Sequence, residues 1–122
     1  MYFILALFTH SKSGDVSIHG LWPENSENSW PEYCSDTPFN MSLIEPLLPE
    51  LKKHWYSYNG QHIKFWEHEW RKHGTCSYMD EITYFKSALA LREKYMNDGT
   101  IEHSISKHHT IKIKIDTIQL KF

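Results

Sequence analysis

No excess of one charge, no long apolar run and no abundance of cysteine marks this chain. Thirteen Lys and Arg stand against fifteen Asp and Glu, a formal charge of −2, so there is no standing basic patch of the kind a general RNA-binding module uses to hold phosphates. The apolar stretch Tyr2 to Phe8 is too short to cross a bilayer. It also lacks the basic segment and small-residue cleavage site of a secretory leader, and it reads as a buried strand. No repeat, low-complexity tract or linker interrupts the 122 residues, and 40% hydrophobic content suits one globular domain with a single core. The only cysteines, Cys34 and Cys76, are by composition either a buried thiol pair or one disulfide.

What the chain has in quantity is histidine among aromatics. If all nine histidines were protonated near pH 5, the formal charge would move from −2 to about +7, which favours a polyanion in an acidic compartment. The densest segment is Phe65-Trp66-Glu67-His68-Glu69-Trp70-Arg71-Lys72-His73-Gly74-Thr75-Cys76. On a helix over 65–73, at about 100° per residue, Glu69 and His73 share one face with Lys72 beside them, so a carboxylate, an imidazole and an ammonium converge. His68 lies five before His73, roughly 140° away, which fails the spacing of a zinc-binding helix and excludes a metalloprotease of that kind. In the second cluster, Val16-Ser17-Ile18-His19-Gly20-Leu21-Trp22-Pro23, Val16 and Ile18 alternate with Ser17 and His19 as on a half-buried strand, with a turn expected at Gly20 and His19 facing away from the core. Either cluster alone has a structural reading, because a single histidine on a strand or an aromatic-rich helix is more often packing than chemistry. Their joint occurrence points to acid–base chemistry.

The remaining elements follow from periodicity and breakers. A polar turn, residues 11–15, joins the two strands, and Glu24 to Asn40 reads as a loop rich in Ser, Asn and Pro. Pro49 suits the first turn of a short helix ending near Trp55, with a polar connection over 56–64. Gly74 is placed as the stop of the 65–73 helix. Ile82, Phe85, Ala88, Leu89 and Tyr95 predict a helix over 81–95.

The segment I-H-G-L-W-P, followed some fifty residues later by F-W-E-H-E-W-x-K-H-G-T-C, resembles the paired active-site segments of the ribonuclease T2 family, closest to the plant S-like and self-incompatibility type. The resemblance implies an α+β fold, a central antiparallel sheet with helices packed against it, with the family's final strands missing from this chain. It implies a metal-independent endoribonuclease, without cofactor, that cleaves single-stranded RNA but not DNA, acts as a monomer away from membranes and has an acidic optimum. By resemblance His73 is the general base, His19 the general acid and Glu69 an acidic partner of His73, while His68 and Lys72 contact the phosphate. Trp22, Glu24, Trp30 and Phe65 are the expected base-binding residues, Trp22 and Trp66 and Trp70 having core packing as the alternative.

The resemblance also pairs Cys34 with Cys76. That bridge would contribute roughly 3–4 kcal/mol by the chain-entropy argument and imply an oxidising compartment, secreted or vacuolar and endolysosomal. Asn40-Met41-Ser42 is a glycosylation sequon that fits such a location. Two departures stand out. Phe8-Thr9-His10 replaces the Gln-Trp-Pro usual after the first strand, which weakens the second base site. Residues 111–115, Ile-Lys-Ile-Lys-Ile, alternate like a strand where the family continues from a polar segment into a helix, and the resemblance favours the helix. The alternative to an enzyme is a catalytically inactive, truncated homologue that binds RNA or protein.

Overall fold

The computed structural model describes residues 1–122 except 11–12, 26–28, 102–109 and 117–122. Strand β1 (Tyr2–Thr9) lies at the centre of a three-stranded antiparallel sheet, between β2 (Val16–Glu24) and β3 (Thr110–Asp116). Its odd positions Phe3, Leu5 and Leu7 are buried to 1% exposure or less, because one face of the sheet packs on the helices. The even positions Tyr2, Ile4 and Phe8 are only half-buried on the other face.

Two expectations about the sheet are corrected. β2 does not turn at Gly20 but runs on through Trp22 and Pro23 to Glu24. Gly20 is needed for room, since a Cβ there would lie 2.1 Å from Glu69 Oε1 and 2.3 Å from Trp22 Nε1. Residues 111–115 form a strand, not a helix: Ile111 and Ile115 are buried and Ile113 partly so, while Lys112 and Lys114 are exposed. Pairing with the central strand along its whole length supplies backbone partners that decide the period-2 reading.

Helix α1 (Leu48–His54) has Pro49 in its first turn, as expected, and closes on Trp55. Helix α2 (His62–Lys72) begins three residues before the expected start, so residues 62–64 are helical rather than connecting. Its stop is also of a different kind. His73 caps it, a short 3₁₀ turn (Gly74–Cys76) follows, and Gly74 has no positive φ. That glycine gives space to Trp70, whose ring would lie 2.3 Å from an added Cβ. Helix α3 (Glu81–Asn97) starts on Asp80, whose carboxylate accepts from the Thr83 amide at 3.0 Å. It brings Tyr84, Phe85, Ala88 and Leu91, all fully buried, against Trp55, Trp66 and the sheet. Trp66 and Trp70, at 0% and 3% exposure, are core residues. Cys34 and Cys76 are disulfide-bonded, tying the 25–40 loop to the end of α2.

Candidate active site

Between Ala6 and Leu7 the β1–β2 register shifts: Ala6 faces Gly20 whereas Leu7 faces Ile18, leaving His19 as the extra residue of a bulge. Bulges re-aim a side chain while the strand continues. Here the imidazole is turned to the half-buried face of the sheet, away from the core as expected. Its carbonyl accepts from Trp55 Nε1 at 3.2 Å, which fixes the bulge to the core.

Trp22 stands at the centre of the cluster. Its indole stacks on the His73 ring (centroids 5.1 Å, 25°) and meets His19 edge-on (4.9 Å, 79°). Its Nε1 donates to Glu69 Oε1 at 2.9 Å. One side chain from the sheet thus gathers both histidines and the carboxyl. Phe8 stacks on the other ring partner, His19, at 4.4 Å and 17°, and Phe65 lies 6.0 Å from the same imidazole. From α2, His68 Nε2 approaches Glu69 Oε2 at 3.8 Å, and Lys72 Nζ pairs with Glu32 at 3.3 Å.

Burial dominates the protonation of the three central groups. It pulls His19 down to about 4, assisted by the positive charges of His68, Lys112 and Lys72. It pulls His73 down to about 3, assisted by Lys72, His68 and His19. It pushes the Glu69 carboxyl up to about 7, against the opposing effects of the Trp22 hydrogen bond and Lys72. Glu69 is therefore a neutral acid across mildly acidic pH, and its contact with His68 is not an ion pair there. The site holds two neutral imidazoles and an undissociated carboxyl beneath a group of cations, which is an arrangement that attracts an anion and can exchange protons with it.

The expected residues do not all converge. His19, Trp22, Phe65, His68, Glu69, Lys72 and His73 form one connected cluster. Glu24 sits at the far end of β2, accepting from the Tyr2 hydroxyl at 3.3 Å. Trp30 is 60% exposed on the loop and has no ring contact with that cluster. Phe8, Glu32 and Lys112 join the cluster without a signal in the sequence that marks them as site residues. Phe8 stands out there only as a departure from the family pattern, and Lys112 becomes legible only once 111–115 is a strand.

The chain matches the model of the ribonuclease T2 family over residues 6–121. It is 41% identical over 90 residues to ribonuclease DdI of Dictyostelium discoideum, an alignment covering 70% of this chain and 40% of that protein. Among solved structures, ribonuclease MC1 from bitter gourd seeds superposes with a TM-score of 0.68 at 32% identity, covering 77% of this chain and 58% of that one. RNase NT in complex with 5′-AMP superposes at 0.68 with 30% identity, covering 88% and 64%. The chain thus spans about two fifths of the length of curated relatives such as ribonuclease DdI.

Proposed function

This chain belongs to the ribonuclease T2 family, and on that premise we propose that it is an endoribonuclease that cleaves single-stranded RNA with little base preference. The observation that carries the reading is the joining of His19, His73 and Glu69 around Trp22. RNA carries its own nucleophile beside every phosphate, so cleavage needs a base for the 2′-hydroxyl proton and an acid for the departing 5′-oxygen. His73 takes the proton as the 2′-oxygen bonds to phosphorus. The bond from phosphorus to the 5′-oxygen breaks, His19 protonates that oxygen, and a 2′,3′-cyclic phosphate remains. In the second step His19 takes a proton from water, the hydroxide opens the ring, and His73 returns its proton to the 2′-oxygen, giving a 3′-phosphate.

Lys72 and His68 face the charge that grows on the non-bridging oxygens, where a preorganised cation lowers the barrier more than it aids ground-state binding. Because Glu69 Oε1 is held by Trp22, its Oε2, which faces His68 at 3.8 Å, is the atom left to carry the proton and donate it to a phosphoryl oxygen. Base, acid and charge stabiliser are all side chains, so turnover should persist in excess chelator. Trp30 and Phe65 stack bases, which every base permits, and Glu24 bonds a base edge. The Cys34–Cys76 bridge suits an oxidising compartment, a secreted or lumenal location.

The deciding experiment is cleavage of single-stranded RNA with analysis of product ends. Cyclic and 3′-phosphate ends are expected, and 5′-phosphate ends would refute the scheme. A folded chain without turnover would support the alternative of an inactive homologue that binds but does not cut.

A further inference from the structure

The face of the sheet opposite the core continues beyond the catalytic cluster. On β3, Lys112 lies opposite Ala6 and Lys114 opposite Ile4, and across β1 these same two residues face Gly20 and Trp22. Lys112 Nζ lies 5.6 Å from the Trp22 ring centroid, and Lys114 Nζ lies 4.4 Å from that of Tyr2. Both lysines are exposed, and among the described residues neither is in an ion pair. The charge of Lys112 is felt at His19. Glu24 and Asp116 flank Tyr2 on either side, so the cationic strip begins beside His19 and ends after Lys114. In a chain of net charge −2, two uncompensated cations on the site's own face are a local anion field that the overall balance does not supply.

We propose that Lys112 and Lys114 hold the RNA phosphates on the 3′ side of the scissile bond, leading the departing strand away from His19 over the aromatic rings of Trp22 and Tyr2. This deepens the ribonuclease reading and rests on it for its direction: His19 serves the 5′-oxygen, so the departing strand lies on the side where Lys112 stands. Alternate residues of a strand are about 6.7 Å apart, a spacing that lets the two ammonium groups serve successive phosphates of an extended chain. The acidic end of the strip limits it to those two.

The test is equilibrium binding of a fluorescent single-stranded oligonucleotide bearing 2′-O-methyl groups, which lacks the attacking hydroxyl and survives, measured by anisotropy between about 50 and 200 mM salt. Each phosphate contact on a single strand contributes a slope of about −0.7 in log K against log salt. The double variant Lys112→Gln, Lys114→Gln should therefore lose about 1.4 of that slope relative to the parent chain. The Lys112→Arg, Lys114→Arg pair should retain it, and Lys86→Gln, on the exposed side of α3, should leave it unchanged. Should the double variant fail to fold by circular dichroism, Lys114→Gln alone should lose about 0.7. No binding by the parent chain, an unchanged slope in the folded glutamine variants, or an equal loss in Lys86→Gln overturns the proposal. Slope loss in the glutamine variants, where the parent chain binds the oligonucleotide but cuts no unmodified RNA, would uphold the strip and refute the nuclease reading alone.

Discussion

In the proposed scheme His73 and His19 hold opposite protonation states when the 2′-oxygen attacks, one neutral and one charged. In the free protein burial holds His73 near 3 and His19 near 4. The base is thus available above about 3 and the acid is charged only below about 4, so kcat/KM should follow a bell lying well to the acid side of the ordinary imidazole value. A bound phosphate is a negative neighbour that favours both imidazolium forms, so the kcat profile should lie at higher pH than that of kcat/KM. A rate rising steadily to pH 9 in a folded chain would exclude two histidines in these roles. His19→Ala and His73→Ala should each reduce turnover by ~10²–10⁴-fold, and near-native rates in either would remove that residue from the scheme. Glu69 offers a separate reading from stability. Its folded-state value is raised from 4.5 to about 7, so its contribution is fully present below 4.5 and lost as pH rises through 7. The amount is about 3 kcal/mol. Glu69→Gln, which keeps an acceptor for Trp22, should raise the unfolding temperature at pH 8 relative to the parent chain and change it little at pH 4. Equal pH dependence in the two proteins would mean that Glu69 is not a buried, neutral acid.

At the level of elements, the site depends on how β2 and α2 are held against each other. The close approach of Gly20 to Glu69 and Trp22 leaves no room for a side chain, so Gly20→Ala must push Glu69 or the indole aside and break their hydrogen bond. Activity should fall by an amount comparable with loss of Glu69 itself, and normal turnover in Gly20→Ala would show that this contact is dispensable. The C-terminal end of α2 is held from the other direction. The Tyr33 amide donates to the Lys72 carbonyl at 2.9 Å, the Cys34 amide to Thr75 Oγ1 at 3.1 Å, and the disulfide follows at once. Reduction releases a loop of 42 residues and should cost about 4 kcal/mol by the chain-entropy argument. Because the bridge also anchors the 25–40 loop, which carries Glu32 against Lys72, activity and stability should decline together on titration with a thiol. Mass spectrometry finding two free thiols in the natively produced protein would contradict the pairing.

For the molecule as a whole, charge would set when the proposed RNA substrate is attracted. A formal −2 with neutral histidines repels a polyanion weakly. With all nine histidines charged the formal sum would be about +7, although burial keeps His19 and His73 neutral until strongly acidic pH. Cleavage should consequently be more salt-sensitive at about pH 5 than at pH 7, measured as the change in kcat/KM with ionic strength. A 2′-deoxy strand should bind and stay intact, since the attacking hydroxyl is absent. Its cleavage at the RNA rate would end the transphosphorylation mechanism.

How much of this was legible beforehand divides along a physical line. Local pattern and motif were enough for β1, whose unbroken apolar run reads as a central strand, for α3 with its helical spacing, for the core positions of Trp66 and Trp70, and for singling out the two segments, around His19 and Glu69–His73, that the fold brings together. Resemblance carried the Cys34–Cys76 pairing, which spacing alone left open. Contacts between segments distant in sequence decided the rest. β2 passes Gly20 because β1 offers it a ladder, and the outward His19 that the alternation predicts is the extra residue of a bulge that only the pairing reveals. Trp22, for which the sequence leaves base stacking and core packing open, is the hub of the cluster, since Glu69 reaches its Nε1 from α2. Residues 111–115 alternate like a strand and are one; the resemblance favours a helix there, and pairing with β1 decides for the local pattern. The acidity of the site belongs to the same class: an imidazole or a carboxyl has its ordinary affinity for protons in the sequence, and only the desolvation and neighbouring charges created by folding move His19, His73 and Glu69 away from it.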